Sequence, residues 1–347
     1  ELPSRAKRIF NKDDILMSTV RPYLKGFALV NFYCKDCLAS TGFAILKCKR
    51  KEDIHLLYYN LFSYNIEKQI NRLLVGSNYP AINIKDVGNL KIPYSANKME
   101  TKSIGKILAT WDKSIQLKEK LIEQKKQQQK GLMQNLLTGK VRLPGFTDKW
   151  KELRLGSLIK SKTEKTTINN QHRILSCTKD GLILQEEHFK KQIASSNNVG
   201  YKIIKKNELV FSPMNLWLGG IDISDFDVGI VSPAYKVYKI DYEKINKNFI
   251  KVLLKSDYMI QRYKAISKRG ASVVRRNLSV DDFEALKIKV PNNSEEINLI
   301  GSILYQSSKE INLLEKELEL IKQQKKGLMQ LLLTGIVRVT DLIEGGE

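Results

Sequence analysis

The feature that most constrains this chain is an internal repeat. Residues 126–143 read KQQQKGLMQNLLTGKVRL and residues 322–339 read KQQKKGLMQLLLTGIVRV, so fourteen of eighteen positions are identical at an offset of 196. The same offset aligns residues 97–108 with residues 293–304, and further upstream the similarity becomes weaker. A repeat with a divergent beginning and a nearly constant end predicts two related variable domains, each followed by the same kind of segment.

The constant segments are predicted to be long helices. Apolar residues recur at alternating steps of four and three residues, the pattern of a helix that buries one stripe against a partner helix. An Asn with a Glu three residues later marks each start, and the Gly of a Thr-Gly pair marks each end. Each helix is therefore about 40 residues long, or about 60 Å. The stripe comprises Ile104, Leu108, Trp111, Ile115 and Ile122 in the first copy and Ile300, Leu304, Ile311, Leu314, Leu318 and Ile321 in the second.

The natural partner of one long helix is the other one. Antiparallel pairing would form a coiled coil and relate the two copies by a pseudo-two-fold axis. The predicted organisation is a variable domain at 1–95, a helix at 96–143, a second variable domain at 144–292, a helix at 293–340 and a tail at 341–347. In the second copy Trp150 begins a W-x-x-x-x-L-G motif that has no counterpart after Glu1 in the first. We therefore expect the first variable domain to lack roughly fifty residues.

The variable domains are predicted to be mixed α/β (α+β). Short runs rich in β-branched and aromatic residues, bounded by turn residues, predict strands, and longer stretches with helical apolar spacing predict helices. The predicted strands lie at 14–17, 43–46, 203–204, 208–211 and 228–231. The predicted helical stretches lie at 53–73 and 244–266. Each copy would thus hold a small sheet that is followed by helices.

The charge balance predicts a polyanionic partner. The chain contains 59 Lys and Arg against 37 Asp and Glu, a formal net charge of +22. Nucleic acid is the leading candidate, and an anionic membrane surface is the second. No apolar run reaches the ~18 residues that a membrane span needs. The first apolar residues are interrupted by Arg5, Lys7 and Arg8, which is unlike a signal peptide.

The sequence lacks the common motifs of catalysis. Neither a G-x-x-x-x-G-K-[ST] phosphate loop nor a G-x-G-x-x-G dinucleotide loop occurs. The segment SPAY at 232–235 is one residue short of the amino-methyltransferase signature, and we interpret it as a turn after a strand. Cys34 and Cys37 form a C-x-x-C pair without a second pair, so we interpret them as unpaired thiols rather than zinc ligands. We predict no catalytic residue and no metal site, and we expect a cytoplasmic location because unpaired thiols persist there.

Basic residues in predicted loops are the candidates for DNA contact. Lys and Arg bind phosphates, and Arg and Asn read base edges in the major groove. Loops that a rigid sheet holds in place suit this kind of reading. The loop at 268–276, with four basic residues around a Gly, is the strongest candidate. The full candidate set is Lys268, Arg269, Arg275, Arg276, Arg21, Lys25, Asn215, Asn78, Arg5 and Arg8.

These motifs together resemble the specificity subunit of a type I restriction–modification enzyme. The resemblance rests on the twin K-G-L-M-Q-x-L-L-T-G-x-V-R segments at 130–142 and 326–338, and on L-P-G-F at 143–146 before the W-x-x-x-x-L-G motif. It covers essentially the whole chain, and the shortened first domain is its one departure from the family pattern.

The resemblance implies a non-catalytic subunit with two target-recognition domains. Each domain would read one half of a bipartite, asymmetric sequence in double-stranded DNA. The two helices would act as a spacer of fixed length and as docking sites for two methyltransferase (modification) subunits. Those partners would carry S-adenosylmethionine, and motor-nuclease (restriction) subunits would use ATP and Mg²⁺, so no cofactor is expected in this chain.

Two other classes of protein remain open at this point. A coiled-coil adaptor whose positive charge serves only solubility would share the helices without binding DNA specifically. A degenerate DNA methyltransferase or nuclease would act alone, although the missing motifs argue against it. The residue types do not reveal which DNA bases are read.

Overall fold

Two long helices organise the chain. The structure is a computed structural model that describes residues 6–188, 196–269 and 276–339. The chain divides into two units, of which unit 1 contains residues 1–122 and 314–347 and unit 2 contains residues 123–313. The described helices are α1 (Asp53–Leu61), α2 (Tyr64–Leu73), α3 (Ile84–Gly88), α4 (Lys98–Leu136), α5 (Gln185–His188), α6 (Lys247–Lys255), α7 (Asp257–Ile266), α8 (Val280–Ala285) and α9 (Ser294–Leu333). The long helices α4 and α9 each contribute residues to both units.

The predicted lengths and ends of the long helices are confirmed. Helix α4 has 39 residues and α9 has 40. The Asn97 side chain accepts hydrogen bonds from two backbone N–H groups of the first turn of α4, and Asn293 accepts one at the start of α9. Beyond the other ends, Gly139 and Gly335 have φ values of 69° and 74°, the left-handed conformation that a helix stop requires.

Within each unit the two long helices pair antiparallel, as predicted. In unit 1 Leu108, near the start of α4, is buried with Leu332 near the end of α9. In unit 2 Leu304, near the start of α9, is buried with Leu136 at the end of α4. The predicted stripe is buried at Ile104, Leu108, Ile122, Ile300, Leu304, Ile311 and Leu318 and partly buried at Trp111, Ile115, Leu314 and Ile321.

A buried carboxylate joins the two helices in each unit. Glu100 is 2% exposed and receives two hydrogen bonds from the Arg338 guanidinium, at 2.6 and 2.7 Å. Glu296 is fully buried and is bound in the same way by Arg142, at 2.7 and 2.8 Å. The glutamates that marked the helix starts in the sequence therefore bind an arginine that follows the opposite helix. Such paired, charge-assisted bonds are among the strongest that side chains form.

Unit 1 carries a small antiparallel sheet beside helices α1 and α2. Its strands are β1 (Ala6–Ile9), β2 (Ile15–Ser18), β3 (Phe27–Leu29), β4 (Leu38–Ser40) and β5 (Phe43–Leu46). Strands β3, β2 and β5 form one sheet in that order, and β1 pairs with β4. Ile15 and Met17 of the central strand are fully buried and belong to one core with Ile66 and Ile70 of α2.

Unit 2 carries a larger sheet. Its strands are β6 (Lys151–Arg154), β7 (Ile159–Ser161), β8 (Leu175–Thr178), β9 (Gly181–Leu184), β10 (Lys202–Lys205), β11 (Leu209–Phe211), β12 (Ile221–Ile223), β13 (Val228–Val231), β14 (Lys236–Ile240), β15 (Lys268–Arg269), β16 (Arg276–Asn277) and β17 (Lys287–Val290). Strands β12, β11, β14 and β7 form an antiparallel sheet in that order, and the other eight form four pairs. Phe211, Tyr238, Phe249 and Phe283 fill the core against this sheet, where each is at most 1% exposed.

The strand predictions are confirmed, and the helical predictions need one correction. Each of the two predicted helical stretches is a pair of helices, separated at Ser63 in unit 1 and at Ser256 in unit 2. Each serine is extended, and its hydroxyl accepts a hydrogen bond from the N–H three residues later. The serine thereby starts a new helix where the apolar spacing alone continues.

The interpretation of Cys34 and Cys37 as unpaired thiols is also wrong. The two residues form a disulfide, with their Cα atoms 5.7 Å apart. The short C-x-x-C turn brings the Cα atoms within the range that a disulfide spans.

In the described part of the chain no group of three His, Cys, Asp or Glu side chains could hold a metal ion. None of the described helices is long and apolar enough to cross a membrane.

A glycine lets each variable domain approach a long helix closely. A Cβ atom at Gly301 of α9 would lie 2.7 Å from Asn246 Oδ1 and 2.8 Å from the Phe249 backbone nitrogen, at the start of α6. A Cβ atom at Gly105 of α4 would lie 2.7 Å from the Cβ atom of His55 in α1. The two glycines are 196 residues apart, so the repeat places the same close contact in both units.

Gly301→Ala should destabilise the chain, whereas Gly327→Ala in the same helix should stabilise it. The first methyl group would overlap backbone and a helix cap, at a cost of about 2 kcal/mol. The second would meet no atom within 4 Å, and alanine is better than glycine in a helix by about 1 kcal/mol. Urea unfolding followed by circular dichroism measures both values. Equal effects of the two substitutions would contradict the close contact.

Glu100→Gln should reduce stability in a pH-dependent way. The Arg338 hydrogen bonds hold the pKa of Glu100 at about 2, below the ordinary value of 4.5. The folded chain therefore binds fewer protons than the unfolded chain, so this stabilisation is complete above pH 4.5 and is lost as the pH falls toward 2. We expect the substitution to lower the free energy of unfolding by about 2 kcal/mol at pH 6.

Urea unfolding over a series of pH values tests this. The difference between Glu100→Gln and the parent chain should shrink toward zero as the solution is acidified. Glu123→Gln, at an exposed position of α4, is the control and should show a small difference that does not vary. A difference for Glu100→Gln that stays constant with pH would argue against the buried ion pair.

Candidate nucleic-acid interface

Two loops meet at the same place in both variable domains. The first loop follows the central strand of the sheet, β2 or β11, and contains a short 3₁₀ turn at Pro22–Leu24 or Leu216–Leu218. The second segment follows the helix pair, at 74–80 in unit 1, and in unit 2 its described residues are 267–269 and 276–277. These are the loops in which the sequence placed most of the candidate DNA contacts.

In unit 1 the two loops are joined by Arg21. This residue precedes the 3₁₀ turn with a φ of 50°, and its guanidinium lies 4.6 Å from the centre of the Tyr79 ring. It also donates a 3.1 Å hydrogen bond to the backbone carbonyl of Asn78. Tyr79 is 69% exposed. The structure therefore brings together Arg21 and Asn78, two of the predicted residues.

In unit 2 the two loops are joined by Arg276. Its guanidinium lies 5.5 Å from the centre of the Trp217 ring and donates a 2.9 Å hydrogen bond to the Lys264 carbonyl. The Trp217 indole N–H in turn donates to the Met214 carbonyl, at 3.1 Å. Asn215 precedes the same 3₁₀ turn and is exposed. Arg276 and Asn215 are thus brought to the same loop pair.

The two contacts use the same loops with the partners exchanged. In unit 1 the arginine is on the turn and the aromatic ring is on the second loop, whereas in unit 2 the ring is on the turn. A guanidinium held over a ring keeps its charge at the surface in a defined position. The two domains therefore present similar chemistry in different arrangements.

The other candidates are more dispersed. Lys25 forms an ion pair with Glu67 at 2.8 Å, and Arg8 donates a hydrogen bond to the Phe43 carbonyl. Lys268 is exposed on β15. The backbone of Arg269 pairs with Arg276, but its side chain lies outside the described residues, as do Arg5 and Arg275 entirely. DNA contact by any of these residues remains a prediction.

An open cavity lies beside the Asn215 loop in unit 2, and its lining combines polar and apolar side chains. Its volume is about 620 Å³. It is bounded by the β8–β9 hairpin, the loop after β11 and the turn at 232–235. That turn is closed by a 3.0 Å bond from the Tyr235 N–H to the Ser232 carbonyl, which agrees with its interpretation as a turn. The polar and aromatic residues that line the cavity are Ser176, Thr178, Lys179, Gln185, Tyr201, Ser212, Asn215, Ser232 and Tyr235.

A lysine cluster adjoins this cavity, and the sequence analysis missed it. Lys202 donates a hydrogen bond to the carbonyl of Tyr235, which lines the cavity. Burial lowers the pKa of the Lys202 amine, and the positive charges of Lys236 and Lys165 lower it further. None of these three lysines forms an ion pair among the described residues. Like charges held together without acidic partners are typical of a phosphate-binding surface.

The repeat also produces two equivalent grooves, one within each unit. The groove of unit 1 has a volume of about 550 Å³, and that of unit 2 about 740 Å³. Each is lined by a serine that starts a helix, Ser63 or Ser256. The long helices contribute the same seven repeat positions, which are Lys322, Lys325, Lys326, Met329, Gln330, Leu333 and Thr334 in unit 1 and Lys126, Gln129, Lys130, Met133, Gln134, Leu137 and Thr138 in unit 2.

Comparison with known proteins agrees with this architecture. The type I restriction modification DNA specificity domain family matches residues 2–127. The chain is 26% identical over 301 residues to the MjaX specificity subunit of Methanocaldococcus jannaschii, covering 82% of this chain and 66% of that protein. It is 30% identical over 141 residues to the type I restriction enzyme MjaVIII specificity subunit of the same organism, covering 39% and 32%. The matches thus span only part of the length of these relatives.

A solved structure shares the fold. The type I restriction–modification system S subunit from M. genitalium superposes with a TM-score of 0.59 at 16% sequence identity, covering 94% of this chain and 84% of that chain. The mixed α/β fold with two domains and long helices is therefore that of a known class. By the match to the specificity-domain family over residues 2–127 and by the two M. jannaschii relatives, the chain is similar to type I restriction–modification specificity subunits.

Proposed function

We propose that this chain is the non-catalytic DNA-reading subunit of a type I restriction–modification complex. The observation that carries the proposal is the pair of loops that meets in each variable domain through an arginine and an aromatic ring. Because the partners are exchanged between the domains, each domain would read different bases. The target would then be bipartite and asymmetric in double-stranded DNA.

In unit 2 the DNA would lie across the cavity and the lysine cluster. The lysines are suited to bind phosphates, which position a duplex without reading its sequence. Arg276 and Asn215 have the hydrogen-bonding groups that distinguish guanine and adenine in the major groove. The polar side chains of the cavity offer further donors and acceptors beside them. This arrangement separates residues for affinity from residues for specificity.

The twin grooves support docking of two identical partners. Six of the seven lining positions on the long helices carry the same residue in both grooves, the exception being Gln129 and Lys325, although several of these positions are exposed and have no role in the helix core. Two methyltransferase subunits that each place the same surface in one groove would explain this identity. In this proposal S-adenosylmethionine is held by those partners, and ATP and Mg²⁺ by the motor-nuclease subunits.

Substitution of the two loop arginines should alter different halves of the target. Arg276→Ala should relax recognition in one half-site, and Arg21→Ala should relax it in the other, each by about tenfold because one base contact contributes about 1–3 kcal/mol. Sequencing of the DNA sites methylated by the complete complex measures both. Changes in the same half-site, or none, would contradict the assignment of one half to each domain.

The double variant Lys165→Gln/Lys236→Gln serves as the contrast. It should weaken binding to every duplex without changing the bases preferred, and it should reduce the slope of log affinity against log salt by about 2. Lys120→Gln/Lys316→Gln removes the same charge from exposed, repeat-equivalent positions of the long helices and should leave the slope unchanged.

Charge reversal in either groove should remove one partner. Lys130→Glu alone or Lys326→Glu alone should reduce the number of bound methyltransferase subunits from two to one, because each changes one of two equivalent grooves. The double variant should bind none. Native mass spectrometry of the purified complex counts the subunits. Lys120→Glu and Lys316→Glu are the matched controls, and retention of two partners by Lys130→Glu and by Lys326→Glu would rule out these grooves.

A further inference from the structure

A chain that contains two nearly identical helices faces a problem of partner choice. Each long helix could pair with the other one in its own chain, or with its own counterpart in a second copy. The Glu–Arg pairs do not distinguish these arrangements. At the offset of 196, Glu100 corresponds to Glu296 and Arg142 to Arg338, so like helices would form the same pairs. Selection must come from positions at which the repeats differ.

One such position is Lys325, which corresponds to Gln129 in the other copy of the repeat. In unit 1 Lys325 of α9 forms an ion pair with Asp112 of α4. The repeat-equivalent positions in unit 2 are Gln129 and Ser308, which are joined by a 2.8 Å hydrogen bond. The charged pair and the neutral pair occupy the same place in the two copies. A change on one helix is matched by a change on the other.

The Asp112–Lys325 pair is also tied to the variable domain of unit 1. Asp112 accepts a 2.7 Å hydrogen bond from the Tyr59 hydroxyl of α1, and the Lys325 amine lies 5.2 Å from the centre of the Tyr59 ring. The Lys325 side chain is only 16% exposed. An unmatched charge at this place would therefore be poorly hydrated, which increases the energetic difference between right and wrong partners.

Two further ion pairs show the same asymmetry. Lys118 pairs with Glu317 at 2.9 Å in unit 1, whereas their repeat equivalents are Leu314 and Leu121. The Lys118 side chain is 19% exposed. At this second place the two helices form an ion pair in unit 1, whereas both equivalent residues are leucines.

The third pair lies in unit 2. Lys125 pairs with Glu310 at 2.6 Å, and the corresponding residues in the other copy are Ile321 and Ser114. All three ion pairs therefore form only between α4 and α9.

Pairing of like helices would break all three. Two copies of α4 in the same register would set Asp112 against Gln129, Lys118 against Leu121 and Lys125 against Ser114. Two copies of α9 would set Lys325 against Ser308, Glu317 against Leu314 and Glu310 against Ile321. Every charge would lose its partner, and both glutamates would face an apolar side chain.

We propose that these three ion pairs are a partner code that directs α4 to α9 and rejects the same helix of a second copy. The Glu–Arg pairs and the apolar stripe positions that both copies share supply stability that is common to both arrangements. The three ion pairs supply the difference between them. The proposal concerns pairing between helices and is independent of DNA binding.

A repeat-grafted variant tests the code in the full chain. In this variant each of the six residues of the ion pairs is replaced by the residue at the equivalent position of the other repeat. Pairing of α4 with α9 and pairing of like helices then make identical contacts at these positions. The substitutions are Asp112→Ser, Lys118→Leu, Lys125→Ile, Glu310→Ser, Glu317→Leu and Lys325→Gln. After unfolding and refolding at high concentration, size-exclusion chromatography with light scattering should show about a tenfold larger fraction of dimer than the parent chain forms, since three ion pairs no longer select.

The matched control keeps the ion pairs and reverses them. The variant Asp112→Lys, Lys118→Glu, Lys125→Glu, Glu310→Lys, Glu317→Lys, Lys325→Asp retains all six charges and should refold with the dimer fraction of the parent chain. Equal dimer fractions in the parent, grafted and reversed chains would overturn the proposal.

A mixing experiment decides the matter if the grafted chain does not fold. One chain carries only the three α4 reversals and a second chain carries only the three α9 reversals, so each alone places like charges together. Refolded as a mixture, they should form heterodimers in which each α4 pairs with the α9 of the other chain. Refolded separately, neither should form such dimers. Absence of heterodimer from the mixture, with both chains folded by circular dichroism, would overturn the code.

Discussion

A buried glutamate at the start of each long helix, bound by an arginine that follows the other one, is the interaction on which the structure depends. A carboxylate that is almost completely removed from water is stable only when it is paired and hydrogen-bonded. Glu100 and Glu296 satisfy this requirement through Arg338 and Arg142. Within a single chain, each unit therefore requires residues from both copies of the repeat to complete its helix pair.

The constant and the variable positions of the repeat have different roles. Its constant positions build the helix pairs, the glycine contacts and the two grooves, and these are the parts that must be equal. Its variable positions form the loops and the lysine cluster, which differ between the units. The division between what is repeated and what varies is also the division between assembly and recognition in the proposed function.

Much of the framework follows from the sequence, because helical period and internal similarity are visible in one dimension. The ends of α4 and α9, their antiparallel direction and the five strands β2, β5, β10, β11 and β13 were predictable in this way. The breaks at Ser63 and Ser256 were not, because a serine is compatible with a helix and the apolar spacing continues across it. The pairing of Arg276 with Trp217 and of Arg21 with Tyr79 depends on loops that are far apart in the chain. The cluster of Lys165, Lys202 and Lys236 depends on strand register, which a list of lysines does not reveal.

The glycine contacts have a consequence for how the variable domains can change over time. At Gly301 the long helix touches a backbone nitrogen of α6, and at Gly105 it touches the Cβ atom of His55, which every residue except glycine possesses. The seating of each domain thus depends on main-chain shape more than on side-chain identity. Residues elsewhere in the domain can therefore be substituted during evolution while the orientation of its loops relative to the long helix stays the same.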